Sequence, residues 1–426
     1  MALARSLKEL IRKESGFLWI GVAQIVQLLS GFLVLAILTR ALTPSSFGYY
    51  SLCVTIVMFA RQVLYDPVSV VMAKNTLATI TVDKRAAIGF WCLRYLTDRA
   101  FLIALIAGTV SFLYFNSNGL AFDILIFFCF LYLGANGSFG MYINVLNATR
   151  ERKYASIFTI CDSIGKLVSI GIVVSLFESS VDEVFIGISL AAVAVVFVLR
   201  GFISNSFNLS KAGDHGNWRF VERTVVSSLP LIIPSSLMAL KMYGDRWIIA
   251  GFMGVEELAA YSVLLQLGYL PMILAVGVVQ TYVVPTIYNL GEVGDPSVLL
   301  DYLKYVLIKI VFFTLAIAIV SAPLAGLFFE LMVGAAYLQY SHFLPLFVIS
   351  GGGTAISSIL YVALVARFST EKVAKMASAA VFLSLVCTAI LVAAIGFLGS
   401  VVVLLASSVV IGFFYWRLLS APTVNG

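Results

Sequence analysis

Arg61, Arg94, Arg99, Lys166, Lys241, Arg246 and Lys309 stand inside long apolar runs, together with Asp66, Asp98, Asp162 and Asp245. A charged group at bilayer depth costs roughly 2.5–3.5 kcal/mol on insertion scales, so it normally faces a wet cavity or a partner. Asp162/Lys166, Arg94/Asp98 and Lys241/Asp245 are spaced i,i+4 and can meet on one helical face, with Arg246 following directly. The basic members outnumber the acidic ones. Surplus cation beside water suits an anionic substrate, because the planar arginine fork grips phosphate or carboxylate. Arg61, Lys166, Lys241 and Arg246 lie too far from the ends of their runs to snorkel easily, whereas Arg94 and Lys309 can reach an interface or pair. The first four are therefore candidate substrate-binding residues, with Asp66 and Asp245 orienting them. Gln24, Gln27 and Ser30, Asn136, Tyr142 and Asn144, and Gln266, Tyr269, Gln280 and Tyr282 add amide and phenol groups. These can hydrogen-bond and stack on sugars or join helices, and both readings stay open.

The elements that must carry these groups follow from composition. The 426 residues are 61% hydrophobic and 11% charged, against about 25% charged in a soluble domain. A membrane-crossing helix needs roughly 20 apolar residues. Twelve such runs occur, at 16–38, 47–72, 86–115, 120–146, 154–177, 184–207, 224–253, 258–290, 302–329, 342–368, 376–395 and 399–418. The expected fold is an all-α polytopic membrane protein of twelve transmembrane helices. A soluble enzyme, a nucleic-acid binder and a large extramembrane domain are excluded. The longest polar break, NLSKAGDHGNWRFVER, divides the chain into a six-helix lobe at 1–207, a cytoplasmic linker at 208–223 and a second six-helix lobe at 224–426.

Charge placement supports this count. The net charge is +6, and basic loops are expected on the cytoplasmic side. Arg5/Lys8/Arg12/Lys13, Lys74/Lys84/Arg85, Arg150/Arg152/Lys153, Lys211/Arg219/Arg223, Lys304, Arg367/Lys372/Lys375 and Arg417 fall on one side. Arg40 is opposite them, with Glu178, Asp182, Glu183, Glu256 and Glu257. Both termini are thus expected in the cytoplasm. Leu3, Leu7, Leu10 and Ile11 against those first basic residues read as a short interfacial helix rather than a cleaved leader.

The halves resemble each other. TRALTPSSFGYYSL matches AGFMGVEELAAYSV, placing Tyr50-Ser51 on Tyr261-Ser262, and NATRERKYAS matches VARFSTEKVAKMAS. Six spans per copy insert with the same orientation, so the lobes are expected to be related by a parallel pseudo-twofold repeat, as in transporters that work by alternating access. Pro230, Pro234, Pro271, Pro285, Pro323 and Pro345 concentrate kinks in the second half, and Gly351-Gly352-Gly353 reads as a kink or close-packing point. Five dispersed cysteines and two isolated histidines offer neither a disulfide framework nor a metal site, and no GxxxxGK[ST] is present. No catalytic residue, cofactor site or metal site is expected.

Two segments carry a family resemblance. LTRALTPSSFGYYSL after the first span, and Tyr243-Gly244-Asp245-Arg246-Trp247-Ile248-Ile249-Ala250-Gly251 in the seventh, resemble the O-antigen (Wzx-type) polysaccharide flippases of the multidrug/oligosaccharidyl-lipid/polysaccharide exporter superfamily. The resemblance implies a bacterial inner-membrane flippase in the lipopolysaccharide pathway, not an enzyme. Its implied substrate is an undecaprenyl-pyrophosphate-linked oligosaccharide carried through a cationic lumen. It also implies the lipid bilayer and polysaccharide polymerase machinery as partners, and leaves coupling to a proton or sodium gradient open. The nearest rival is a cation-coupled multidrug extruder of the same superfamily. Such pumps take cationic drugs and use acids in the first lobe, often on span one, where this chain has none, and its intramembrane excess is positive. A non-transporting membrane partner of polysaccharide assembly would need no intramembrane charges at all.

Overall fold

A span holds together because the bilayer core offers its backbone no water, so every N–H and C=O must pair within the helix. The computed structural model describes residues 2–80, 86–117, 123–177, 180–207, 218–292, 296–368 and 370–420, and the described elements are all helical. The first half holds α1 (Ala2–Ala41), α2 (Pro44–Leu64), α3 (Asp66–Ile80), α4 (Ala86–Ser117), α5 (Asp123–Ala148), α6 (Arg152–Leu176) and α7 (Val181–Ser206). The second begins with α8 (Trp218–Ser228), a 3-10 turn, α9 (Ile232–Met253), α10 (Val255–Leu264), a π-helical turn (Leu265–Tyr269) and α11 (Leu270–Glu292). It ends with α12 (Pro296–Met332), a 3-10 segment (Ala335–Phe343), α13 (Leu344–Arg367), α14 (Thr370–Ile395) and α15 (Phe397–Ser420).

Twelve stretches among the described residues are long and apolar enough to cross a membrane, from Leu18–Ala41 to Phe397–Ser420. Each overlaps one of the twelve expected runs, but the ends differ by up to ten residues. The second stretch stops at Leu64, where the expected run continued to 72 across the break at Tyr65, and the eighth stops at Gln280 rather than 290. Large apolar side chains such as Phe312 and Ile319 are about 70% exposed, an arrangement that suits lipid rather than water. Helix α1 is unbroken, so the basic amphipathic start continues directly into the first span; the side chains of 1–17 lie outside the described residues. So do loop residues Glu178, Lys84, Arg85, Lys211 and His215, and the side chains of Lys372, Lys375, Tyr282 and Pro285. Of the segment read as a linker, Trp218 onward is helical in α8, and residues 208–217 lie outside the described residues.

Proline, lacking an N–H, marks where helices begin. Pro67 follows the break at Tyr65, Pro230 sits in the 3-10 turn before α9, Pro271 opens α11 and Pro345 opens α13. Pro323 stands well inside a continuous helix, α12.

The chain divides into two compact units: Met1–Ile37 with Cys53–Ala239, and Leu38–Leu52 with Leu240–Gly426. In the first, α5 is central and packs against α3, α4, α6 and α7. Helices α4 and α7 meet antiparallel through successive rungs. These are Phe90 stacked on Phe207 at 3.8 Å, Arg94 donating to Ser204 at 3.3 Å, Arg200 donating to Asp98 at 2.9 Å, and Phe101 edge-on to Phe197 at 6.4 Å.

In the second unit α13 is central, packing against α11, α12 and α15 over a core that includes Ile287, Leu303, Ile359, Ala363 and Leu419. Consecutive residues of a helix point about 100° apart, so the glycine triplet addresses three neighbours. A β-carbon on Gly351 would stand 2.6 Å from the Tyr269 carbonyl oxygen, one on Gly352 would collide with Thr314, and one on Gly353 would lie 2.6 Å from Ser408 Oγ. Close packing, one of the two expected readings, is what the triplet does. Ser51 and Ser262, equivalent in the repeat comparison, also lie in this unit with hydroxyls 2.5 Å apart. Overpacking a filled core costs about 1–3 kcal/mol, and Gly352 is buried hard against the Thr314 side chain. Gly352→Leu should therefore lower the thermal midpoint of the purified protein clearly, whereas Gly326→Leu, at a site open to 4 Å, should leave it unchanged.

Candidate functional site

The break at Tyr65 places Arg61 at the end of α2 and Asp66 at the start of α3, with Arg61 Nη2 3.8 Å from the Asp66 carboxylate. The opposite terminal nitrogen, Nη1, donates to Asn136 Oδ1 at 3.0 Å. Two glycines of α5 make this possible. A β-carbon on Gly140 would stand 3.2 Å from Arg61 Nη2, and one on Gly137 would run into the Tyr65 ring. The guanidinium and the phenol thus lie against the bare surface of α5. Asn136 passes the network on, its amide nitrogen 3.4 Å from the Tyr132 hydroxyl. Lys166 Nζ stands 5.4 Å over the Tyr132 ring and 2.7 Å from Asp162. Arg61, Asn136, Tyr132, Lys166 and Asp162 thus form one polar chain across α2, α5 and α6 of the first unit.

These members differ in free capacity. Lys166 and Asp162, with side chains only 20% and 12% exposed, neutralise each other as the i,i+4 spacing predicts. Arg61 has a carboxylate at long range, a neutral amide and an Nε buried with no hydrogen-bond partner. Its side chain stays 31% exposed.

The second unit holds a different arrangement. Lys241 and Asp245 on α9 line a cavity of about 50 Å³ with Tyr261, Tyr269, Thr354, Ser357, Ser384, Thr388, Ser400, Ser407 and Ser408. A buried water needs roughly 10–15 Å³ of such volume, so the space takes a few waters or a small hydrated ion, not a sugar. The spacing predicted a Lys241–Asp245 ion pair, and none is present among the described residues. Instead the Asp245 oxygens accept from the Tyr261 hydroxyl and, at 2.8 Å, from the Arg246 amide. Several hydroxyls spend their protons on helix carbonyls: Ser357 on Gly353 and Ser408, Thr388 on Ser384, Ser400 on Phe397, Ser407 on Leu404. Their oxygens keep lone pairs for a cation. Arg246 lies over the Tyr243 ring at 5.5 Å.

The remaining sequence candidates separate similarly. Asn144 donates to Ser69 at 2.7 Å, Tyr142 pairs with Thr97 at 2.8 Å and Gln280 donates to Ser358, so these three join helices. Ser30 bonds the backbone of Gln27, and Gln24 Oε1 is buried with no hydrogen-bond partner. Lys309 is held locally by Tyr305, its Nζ 3.9 Å from the ring centre. Arg94 pairs with Asp98 as spaced, but the closer partner of Asp98 is Arg200, which the charge reading passed over. Tyr132 and the serines and threonines of α13–α15 were missed as well. The recurrence of Thr354/Ser357, Ser384/Thr388 and Ser400/Ser407 at three, four and seven residues was the available signal.

The sequence model of the "Polysaccharide biosynthesis protein" family matches residues 15–290. The chain belongs to that family. No curated protein matches it by sequence. Among solved structures, the lipid II flippase MurJ in an inward closed conformation is similar at a TM-score of 0.72 and 14% identity, covering 94% of this chain and 86% of that one. An inward-facing MATE multidrug transporter of the MOP superfamily gives 0.65 at 15% identity, with 93% and 94% covered. The Vibrio cholerae MATE transporter VcmN in its bent form gives 0.57 at 15%, with 96% and 97% covered. At such identities the likeness is one of fold, the twelve-helix fold of these transporters. Removing one partner of a buried pair costs about 3 kcal/mol or more, because the other charge is left uncompensated. In this family member Lys166→Gln should lower the thermal midpoint markedly, and adding Asp162→Asn should recover most of the loss in a double-mutant cycle.

Proposed function

We propose that this polysaccharide-biosynthesis protein flips an undecaprenyl-pyrophosphate-linked oligosaccharide of the O-antigen type across the bacterial inner membrane by alternating access, with no catalytic step. Arg61 carries the reading: a guanidinium within a membrane span, its side chain 31% exposed, whose described partners are a carboxylate at 3.8 Å and a neutral amide. A pyrophosphate supplies the opposing charge in bidentate form, while a polyprenyl tail stays in lipid. Each unit presents its own cations, Arg61 beside Asp66 in the first and Lys241 with Arg246 in the second, where Asp245 is held by Tyr261 and the Arg246 amide instead of orienting them. Lys166, neutralised by Asp162, backs Tyr132 and Asn136 rather than adding surplus charge. The family membership and the lipid-linked cargo named for MurJ support this substrate class. The lipid bilayer is the medium, and the polysaccharide polymerase is the partner that would consume the product.

The second-unit cavity supports coupling to a small cation, proton or sodium. Asp245 and hydroxyl oxygens are acceptors of the right kind, and the Lys241 ammonium lines the same space as a competing tenant. The rival extruder of cationic drugs would need acids rather than cations in surplus, and the first span, Leu18–Ala41, contains none.

Arg61→Ala, Lys241→Ala and Arg246→Ala should each abolish surface polysaccharide while the protein remains in the membrane, with lipid-linked repeat units accumulating in the cytoplasmic leaflet. Normal polysaccharide in all three strains would remove these residues from the path. In vesicles, Asp245→Asn should make flipping insensitive to collapse of the ion gradient that drives the wild type; unchanged gradient dependence would dismiss the coupling role.

A further inference from the structure

The α4–α7 seam of the first unit carries more cation than carboxylate. Asp98 lies 2.9 Å from Arg200 Nη2 and 3.8 Å from Arg94 Nε, so one acid serves two guanidiniums. Arg99 is exposed and stands 5.1 Å over the Tyr95 ring. Among the described residues it has no carboxylate within ion-pair distance, which leaves the cluster two positive charges in excess. An aromatic group adjoins it through Tyr95. Trp91 stacks on Tyr95 at 5.7 Å, and Trp218 of α8 sits edge-on to both, at 6.5 and 5.0 Å. Arg219 and Arg223 are exposed on α8, with Glu222 between them.

Depth decides what such a cluster can hold. The span Ile88–Asn116 has 29 residues, about 44 Å at 1.5 Å per residue, against a hydrocarbon core of about 30 Å. Each end therefore projects about 7 Å into the headgroup layer. Arg94 is about 9 Å from the start of the span, at the border of that layer. Arg99 is about 16 Å from it, roughly 9 Å inside the border, so that it reaches the border only by extending back along the helix over Tyr95. Helical side chains tilt toward the helix N-terminus, so both Arg94 and Arg99 reach back toward the border. Tryptophan and tyrosine favour this same level. Unneutralised guanidinium at the border meets lipid phosphate, which it can grip bidentately.

We propose that Arg94 and Arg99, backed by the Asp98–Arg200 pair and flanked by Trp91, Tyr95 and Trp218, form a binding site for the phosphate headgroup of an anionic phospholipid. The site shares no residue with the Arg61 network or the second-unit cavity. Arg200 keeps Asp98 neutralised when Arg94 and Arg99 are changed, so the seam survives the test.

Purified full-length protein in neutral detergent, titrated with phosphatidylglycerol or phosphatidylcholine, should retain phosphatidylglycerol preferentially by native mass spectrometry and gain thermal stability from it alone. Arg94→Gln/Arg99→Gln should lose that preference by about tenfold, roughly 1.4 kcal/mol, with an unchanged midpoint in phosphatidylcholine. If the double variant fails to fold, Arg99→Gln alone, at an exposed position, must show a reduced preference. Equal retention of both lipids by the wild type, or an undiminished preference in the variants, would overturn the proposal. Saturation of the same stabilisation by inorganic phosphate would do so too, since the site would then hold a soluble anion.

Discussion

A charge inside a membrane span must be answered by something within reach of its own side chain, and this constraint organises both halves of the molecule. The first unit answers with proximity: Asp162 to Lys166, Asp98 to Arg200, and Asn136 with Asp66 to Arg61. The second answers with hydroxyls. Asp245 is held by a phenol and a backbone amide, and the helices that converge near it bring serine and threonine rather than acid or base. A low-dielectric interior strengthens such networks when satisfied and penalises every gap. The incompletely answered groups, Arg61 and Lys241, are for that reason the informative ones.

What could be read from residue order alone follows the range of each interaction. Twelve spans were legible because a membrane-crossing run is a local property of about 20 residues. The Asp162/Lys166 pair was legible because its partners are four residues apart on one helix. Arg200 was not, because its partner sits 102 residues away on a helix that meets α7 only after folding. The Lys241/Asp245 spacing was correct as geometry and misleading as chemistry, since Tyr261, sixteen residues on, takes the carboxylate first. The hydroxyl cavity is a convergence of weak signals on α9 to α15, each of which, taken alone, is what any helix-joining serine looks like.

Fold and cargo separate cleanly here. One architecture is shared at 14–15% identity with a lipid II flippase and with multidrug transporters, so the helix bundle does not choose the passenger. On the proposed reading, selection falls to side chains carried within the spans. This chain's family model covers nearly all of the first half and reaches into α11, and that stretch contains every cation assigned above to the substrate.

The π-helical turn at Leu265–Tyr269 has a consequence for register. Tyr261 and Tyr269 are eight residues apart, which in an unbroken α-helix would set them about 80° apart around the axis. A π-bulge absorbs one residue into a widened turn, so the pair behaves as if spaced by seven, close to two full turns, and both phenols reach the same cavity. The widened turn leans its carbonyl on Gly351, where no β-carbon obstructs it. Phase along the eighth span thus goes with a single surplus residue, whose widened turn packs where a neighbouring helix lacks a methyl group.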